Sequence, residues 1–202
     1  MDPLRTLDCS IEVYLAELTA ALRDLDRPTI EHIAWVLVEA HAANRTVFIC
    51  GNGGSAAVAT HWAADLSKLT ALPGLPRLRV MSPTDSVATI TAAANDFDYS
   101  EIFADQLRTF MAPGDVVMGI TTSGRSANVL RALEYANANA GVTIAITGLG
   151  GTALRELATT ALVVTSTSVQ RIEDVAGVAA HLACLLARGR IIAEHTETAR
   201  TA

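Results

Sequence analysis

Five short apolar runs alternate with helical segments from Thr46 onward, and this alternation is the feature that most constrains the fold. The runs are TVFIC (46–50), LRVM (78–81), DVVMGI (115–120), VTIAIT (142–147) and ALVVT (161–165). Helical patterns fill the intervals, near 55–68, 85–94, 99–111, 126–139 and 151–158, and a last one spans roughly 171–190. Strands that alternate with helices are typical of a right-handed, doubly wound sheet. The sequence therefore predicts an α/β fold with five parallel strands.

Two helical patterns precede the first strand. The first carries an apolar stripe in steps of three and four residues, formed by Leu4, Leu7, Ile11, Tyr14, Leu18, Ala21 and Leu25. Asp26-Arg27-Pro28 interrupts it, and a second pattern follows through Ile30, Ile33, Leu37 and Ala40. We expect an N-terminal helical hairpin over residues 1–44, ahead of an α/β core over 45–202. The stripe either packs on the domain or joins chains in an oligomer, and the pattern leaves both open.

Composition limits the class of protein. The chain has 202 residues, of which 50% are hydrophobic, which fits one large globular domain better than two. A net charge of -6 without a basic cluster argues against nucleic-acid binding. Cys9, Cys50 and Cys184 are distant and odd in number, which fits buried thiols in a reducing compartment. With no signal-like N-terminus and no uninterrupted apolar stretch of about 18 residues, we expect a cytoplasmic protein without a membrane partner.

Two polar turns follow the first and third predicted strands. They are Gly51-Asn52-Gly53-Gly54-Ser55 and Thr121-Thr122-Ser123-Gly124-Arg125-Ser126. Ligands of open α/β sheets bind beyond the carboxyl ends of strands, where glycines and helix N-termini expose backbone N–H groups. Clustered hydroxyls suit a phosphate monoester. The sequence predicts that both turns form one phosphate pocket, although either alone is also compatible with a simple helix cap.

Other ligand-binding signatures fit less well. Gly51 to Ala56 matches the dinucleotide pattern G-x-G-x-x-A, but residues 69–76 lack the acidic group expected about 20 positions on. The chain has no G-K-[ST] loop, and neither turn has the G-x-S-x-G spacing of a hydrolase. We therefore expect no nucleotide cofactor.

Ionisable residues on two predicted helices offer acid–base chemistry. His61 and Asp65 share one face of the helix after the first turn, while Glu173 and His181 lie about 80° apart around the last helix. If these helices face each other, the four groups converge. They then supply a base and an acid for proton transfer, or together hold a divalent metal, and the sequence leaves both open.

Distance along the helix favours a shared site. Ser55 and Asp65 are ten residues apart, or about 15 Å. We expect a neighbouring subunit to contribute groups.

An ordered set of motifs resembles the sugar isomerase (SIS) fold. The set comprises CGNGGSAA (50–57), His61, ANDFDY (94–99), PGDVVMGITTSGRSANVL (113–130), RIED (171–174) and His181. Within that fold the chain is similar, nearly end to end, to the phosphoheptose isomerases and to their relative, the replication-initiator-associating protein. The resemblance implies a single SIS domain over 1–202, assembled as a homotetramer with active sites at subunit interfaces.

The resemblance also implies an activity and a set of site residues. The activity is aldose–ketose isomerisation of sedoheptulose 7-phosphate to D-glycero-D-manno-heptose 7-phosphate, with Asp65 and His181 as catalytic groups. One zinc ion per subunit would be bound by His61, Asp65, Glu173 and His181. Substrate-binding positions would be Asn52, Gly53, Gly54, Ser55, Asp96, Thr121, Thr122, Ser123, Ser126 and Glu173.

Five positions depart from the family pattern. Asp65 stands where glutamate is usual, Glu173 where glutamine is usual, Leu69 in place of an arginine, Gln170 in place of an aspartate, and Arg125 in place of a small polar residue. These changes suggest a divergent member and leave open another sugar phosphate as substrate. The alternative is a non-catalytic SIS protein that binds a protein partner or senses a sugar phosphate.

Overall fold

The structure, a computed structural model, describes residues 10–201, with side chains described through Thr196. Leu4, Leu7 and Cys9, which the sequence analysis used, lie outside the described residues.

One parallel sheet forms the centre of the molecule. Its strands are β1 Thr46–Gly51, β2 Arg79–Met81, β3 Val116–Ile120, β4 Val142–Gly148 and β5 Thr160–Val164. All neighbouring pairs are parallel, in the order β2-β1-β3-β4-β5. The predicted strands are confirmed, and each end agrees within one residue. Because the order reverses between β1 and β3, their carboxyl ends leave a crevice.

Eight helices are found within residues 10–201. They are α1 Ile11–Arg23, α2 Arg27–Ala42, α3 Gly54–Leu69, α4 Val87–Asp96, α5 Ala104–Phe110, α6 Ala127–Ala138, α7 Thr152–Leu157 and α8 Val169–Thr201. The single helix predicted over 99–111 is wrong: a 3₁₀ turn at Tyr99–Glu101 precedes α5, because the Asp98 side chain accepts the Ser100 N–H and closes a tight turn. The last helix is longer than predicted at both ends.

Apolar helices cover both faces of the sheet. Alternate residues of β1 point to opposite sides: Val47 and Ile49 enter a core with α2, α3 and α8, while Phe48 and Cys50 enter a core with α5 and α6. This alternation follows from the period of two along a strand. The doubly wound arrangement is therefore confirmed.

The N-terminal helices both pack against α8. Asp26 caps α2 through the Thr29 N–H, which explains why the chain restarts as a helix there. The later part of the α1 stripe, Leu18 to Leu25, packs against Val164, Ile172 and Val175. Ile11, the first described residue of the stripe, remains 74% exposed. Packing on the domain thus accounts for Leu18, Ala21 and Leu25 among the described residues of the stripe.

Helix α8 is the one helix among the described residues that is long and apolar enough, by length and composition, to cross a membrane. Core helices of soluble proteins meet the same criterion. Ala176, Ala180 and Ala183 of α8 are buried against α2 and α3. Packing therefore explains the buried face of α8, while Leu182 and Leu185 on the same helix remain exposed.

Asp115 fixes the start of β1 and β3, and its loss should destabilise the fold. Its buried carboxylate accepts the Thr46 N–H and the Ala112 N–H, each at 2.8 Å. Asp115→Ala leaves both donors unsatisfied, so we expect the free energy of unfolding to fall by about 1–3 kcal/mol. Urea denaturation measures it, with the exposed Asp24→Asn as control. Equal midpoints for both variants would contradict this role.

Candidate functional site

The two polar turns meet in one pocket at the crevice between β1 and β3. The cavity has a volume of about 310 Å³, and its described lining consists of Asn52, Gly53, Gly54, Ser55, Ile120, Thr121, Thr122, Ser123, Ser126, Val169 and Glu173. Gly53 and Gly124 adopt positive φ angles of 55° and 64°, which favour glycine. The structure thus brings together all the substrate-binding positions named above except Asp96.

Hydroxyl groups of the second turn form a connected network. The Thr121 hydroxyl lies 2.9 Å from that of Ser126 and 3.4 Å from that of Ser123. Thr147, which sequence reasoning missed, donates to the Thr121 carbonyl at 2.7 Å and fixes the turn from β4. The Ser123 hydroxyl accepts the Arg125 N–H. Together with the free N–H groups of the first turn of α3, this arrangement suits a group with several acceptor oxygens.

Asn128 ties the first turn to α6, and sequence reasoning missed it. The side-chain amides of Asn52 and Asn128 exchange two hydrogen bonds of 2.8 Å each. Tyr99 donates a third, at 3.2 Å, to the Asn52 carbonyl oxygen. Asn128 is buried, and a buried amide needs partners. Its place just after the second turn was the only sequence signal.

Glu173 reaches the pocket from α8. Ser55 donates its hydroxyl hydrogen bond to Oε1 of Glu173 at 3.2 Å. The carboxylate lies so close to Gly54 that a Cβ there would come within 2.5 Å of its carboxyl carbon. Glycine at position 54 is what allows this approach.

His61, Asp65 and His181 form a second cluster further along α3 and α8. Oδ2 of Asp65 lies 3.5 Å from Nε2 of His61 and 3.4 Å from Nε2 of His181, and the two Nε2 atoms are 3.4 Å apart. The imidazoles are 59% and 51% exposed, so neither is a core histidine. The predicted convergence is thus found for three of the four groups. Glu173 sits about two turns away along α8 and contacts Ser55 instead.

The composition of this cluster fits zinc. Two imidazoles and one carboxylate, with candidate ligand atoms within 4.8 Å of one another, match a three-ligand set that leaves an open coordination position.

Asp96 is not part of either cluster. It ends α4, is exposed, and accepts a hydrogen bond from Asn95 at 2.8 Å. Within this chain, the structure therefore does not support the predicted contact between Asp96 and the sugar.

The described cysteines are buried, as predicted. Burial raises the pKa of the Cys50 thiol to about 12. Burial, with a smaller effect of the negative charge of Asp65, raises the pKa of Cys184 to about 12 as well. Both thiols stay protonated at neutral pH and have no nucleophilic role.

The fold and the site define a SIS-domain protein: residues 13–148 match the SIS domain. The chain is 34% identical over 162 residues to the phosphoheptose isomerase of Akkermansia muciniphila, covering 80% of this chain and 85% of that one. It is 37% identical over 162 residues to that of Rhodospirillum rubrum, covering 78% and 83%. The chain belongs to the phosphoheptose isomerase family.

Solved structures agree with this assignment. A phosphoheptose isomerase from Francisella tularensis superposes with a TM-score of 0.82 at 31% identity, covering 89% of this chain and 96% of that one. The enzyme from Neisseria gonorrhoeae gives 0.78 at 29% identity, covering 86% and 94%. The sheet and its flanking helices are therefore those of the family.

If the cluster of His61, Asp65 and His181 binds zinc, the affinity should depend on His181. Loss of outer-shell partners already weakens metal sites by about 10–100-fold, so His181→Ala should weaken zinc binding by at least about tenfold. His32→Ala is the control, because His32 stacks on Trp35, away from the cluster. Isothermal titration with zinc measures both variants. Equal affinities would exclude His181 as a ligand.

Proposed function

We propose that this protein is a sugar-phosphate isomerase that converts sedoheptulose 7-phosphate to D-glycero-D-manno-heptose 7-phosphate through an enediolate. The observation that carries the proposal is the single pocket formed by the two turns, with His61 and Asp65 further along α3 and His181 facing them from α8. The phosphoheptose isomerases among the relatives support the choice of substrate.

The phosphate binds at the N-terminus of α3. Its oxygens accept hydrogen bonds from Ser55, Thr121, Thr122, Ser123 and Ser126, and the helix dipole favours its negative charge. His61 is six residues beyond Ser55, or about 9 Å along α3. In a heptose 7-phosphate, the reacting carbons C1 and C2 lie at the opposite end of the carbon chain from the phosphate. The proposed base, Asp65, lies about 15 Å from Ser55 along α3, so the arrangement suits a long substrate whose site is completed by a neighbouring subunit.

Asp65 and His181 perform the proton transfers. The Asp65 carboxylate removes the proton from C1 of the ketose, and His181 moves a proton between the oxygens on C1 and C2. Asp65 then returns a proton to C2, which yields the aldose. Contacts with both imidazoles orient the carboxylate. The alternative is that His61, Asp65 and His181 hold a zinc ion, which would supply Lewis-acid stabilisation of the enediolate oxygens.

Asp65→Asn should lower turnover by about 100-fold or more, because an amide cannot accept the proton. Asp65→Glu restores the side chain usual in the family and should keep activity. Asp85→Asn is a control, since Asp85 accepts a hydrogen bond from Thr60 away from the cluster. Conversion of sedoheptulose 7-phosphate, followed by NMR, measures all three. Unchanged turnover of Asp65→Asn would remove Asp65 from the mechanism.

The decisive experiment incubates the purified protein with sedoheptulose 7-phosphate, with and without a chelator. Turnover that the chelator abolishes supports a metal-assisted reaction, and turnover that resists it supports acid–base catalysis alone. Absence of turnover under every condition rejects the proposed function. Phosphate binding without turnover would favour the non-catalytic alternative.

We also propose that the chain is one SIS domain and works as a cytoplasmic homotetramer with sites shared between subunits. Apolar side chains exposed on the outer faces of two helices support self-association: Ile11, Val13 and Leu15 on α1, and Leu182, Leu185 and Ile192 on α8. An apolar groove of about 470 Å³ lies between these helices and α2. Exposed apolar surfaces of this kind commonly mark interfaces.

Leu185→Glu should dissociate the tetramer, because Leu185 is 58% exposed on α8 and a buried unpaired charge is costly. Val87→Glu is the matched control, since Val87 is 73% exposed on α4. Light scattering should give a lower mass for Leu185→Glu alone. A monomeric wild-type protein, or a tetrameric Leu185→Glu, would contradict the assembly.

A further inference from the structure

The Glu173 carboxylate lies over the first turn of α3, between the two polar turns. Ser55 donates its hydroxyl hydrogen bond to Oε1 at 3.2 Å. The carboxyl group also rests against the backbone of Gly54, where no Cβ would fit. A helix N-terminus with unsatisfied N–H groups is where an anionic group binds. In this structure the Glu173 carboxylate lies beside that helix end and accepts the Ser55 hydroxyl there.

Three contacts hold the first turns of α8, and hence Glu173, in this position. Arg171 forms an ion pair with Glu17 and lies over the ring of Tyr14. Tyr14 donates a hydrogen bond to Asp174. Arg171 and Asp174, which flank Glu173 in the sequence, thus both contact α1. These contacts with α1 fix the start of α8 and so hold the Glu173 carboxylate against α3.

The negative charge of Glu173 affects which ligands the pocket can bind. Glu173 is the one ionisable side chain in the described lining of the cavity. A phosphate monoester brings a charge of about -1.5 to -2 into the same volume. Like charges at such short range repel, and both groups require the same hydroxyl of Ser55 and the same helix end. They cannot occupy the first turn of α3 together.

We propose that Glu173 is a built-in competitor of the phosphate group: its carboxylate occupies the phosphate position on α3 and must be displaced before a phosphorylated ligand binds. The side chain therefore sets the phosphate affinity of the site. This inference rests on the proposed function for the identity of the ligand. The inference concerns phosphate affinity and not turnover. Glu173 can therefore prove to have no effect on affinity in an active enzyme, and it can prove to lower affinity in a protein without turnover.

The test compares the affinity for inorganic phosphate of the full-length protein and three variants by isothermal titration at one pH and one ionic strength. Glu173→Gln keeps the shape and removes the charge, and Glu173→Ala removes the group that occupies the site. Asp174→Asn is the matched control, because it removes the charge of the neighbouring carboxylate, while the amide oxygen still accepts the hydrogen bond from Tyr14 that holds α8.

We expect both Glu173 variants to bind phosphate about tenfold or more tightly than the wild type, and Asp174→Asn to match the wild type within about twofold. A gain in Glu173→Gln alone would mean that the new amide donates to phosphate, and would overturn displacement as the cause. Equal or weaker binding by both Glu173 variants, with thermal unfolding showing that they are folded, would overturn it too. An equal gain in Asp174→Asn would assign the effect to net charge and overturn the specific role of Glu173.

Discussion

The close packing of α3 along α8 is the interaction on which the site depends. The contact is made by Ala59, Trp62, Ala63 and Leu66 on one helix and by a row of buried alanines on the other, at 176, 179, 180, 183 and 187. Small side chains let helix backbones approach closely. The approach places Glu173 opposite Ser55 and His181 opposite His61 and Asp65. The pocket formed by the two polar turns and the cluster of His61, Asp65 and His181 therefore lie at two ends of one helix pair.

The sheet decides where this helix pair acts. Reversal of strand order between β1 and β3 brings the two hydroxyl-bearing turns side by side, and α3 begins at the first of them. The helix dipole therefore points its positive end at the crevice. From there α3 runs away from the phosphate toward the histidines. A substrate with its phosphate and its carbonyl at opposite ends matches this layout.

Local patterns made most of the fold predictable from the sequence. Each strand was a short apolar run bounded by turn residues, and the two turns were recognisable from their glycine, serine and threonine residues. Asn128 and Thr147 were missed because their roles come from partners 76 and 26 residues away. Glu173 was grouped with the histidines by its family position. The packing of α8 against α3 shows that Glu173 contacts Ser55. The angle between two residues around a helix gives the face they share, but not which residues of the neighbouring helix they contact.

The alanine row on α8 has a consequence for how such a site can diverge. Each methyl group there acts as a spacer whose thickness sets the gap between the helix that bears His181 and the helix that bears Asp65. A shorter acid, such as aspartate in place of glutamate, needs the opposing helix nearer or an intervening ion. Substitutions at these buried alanines can thus change the distance between Asp65 and His181 without any change in the residues of the pocket.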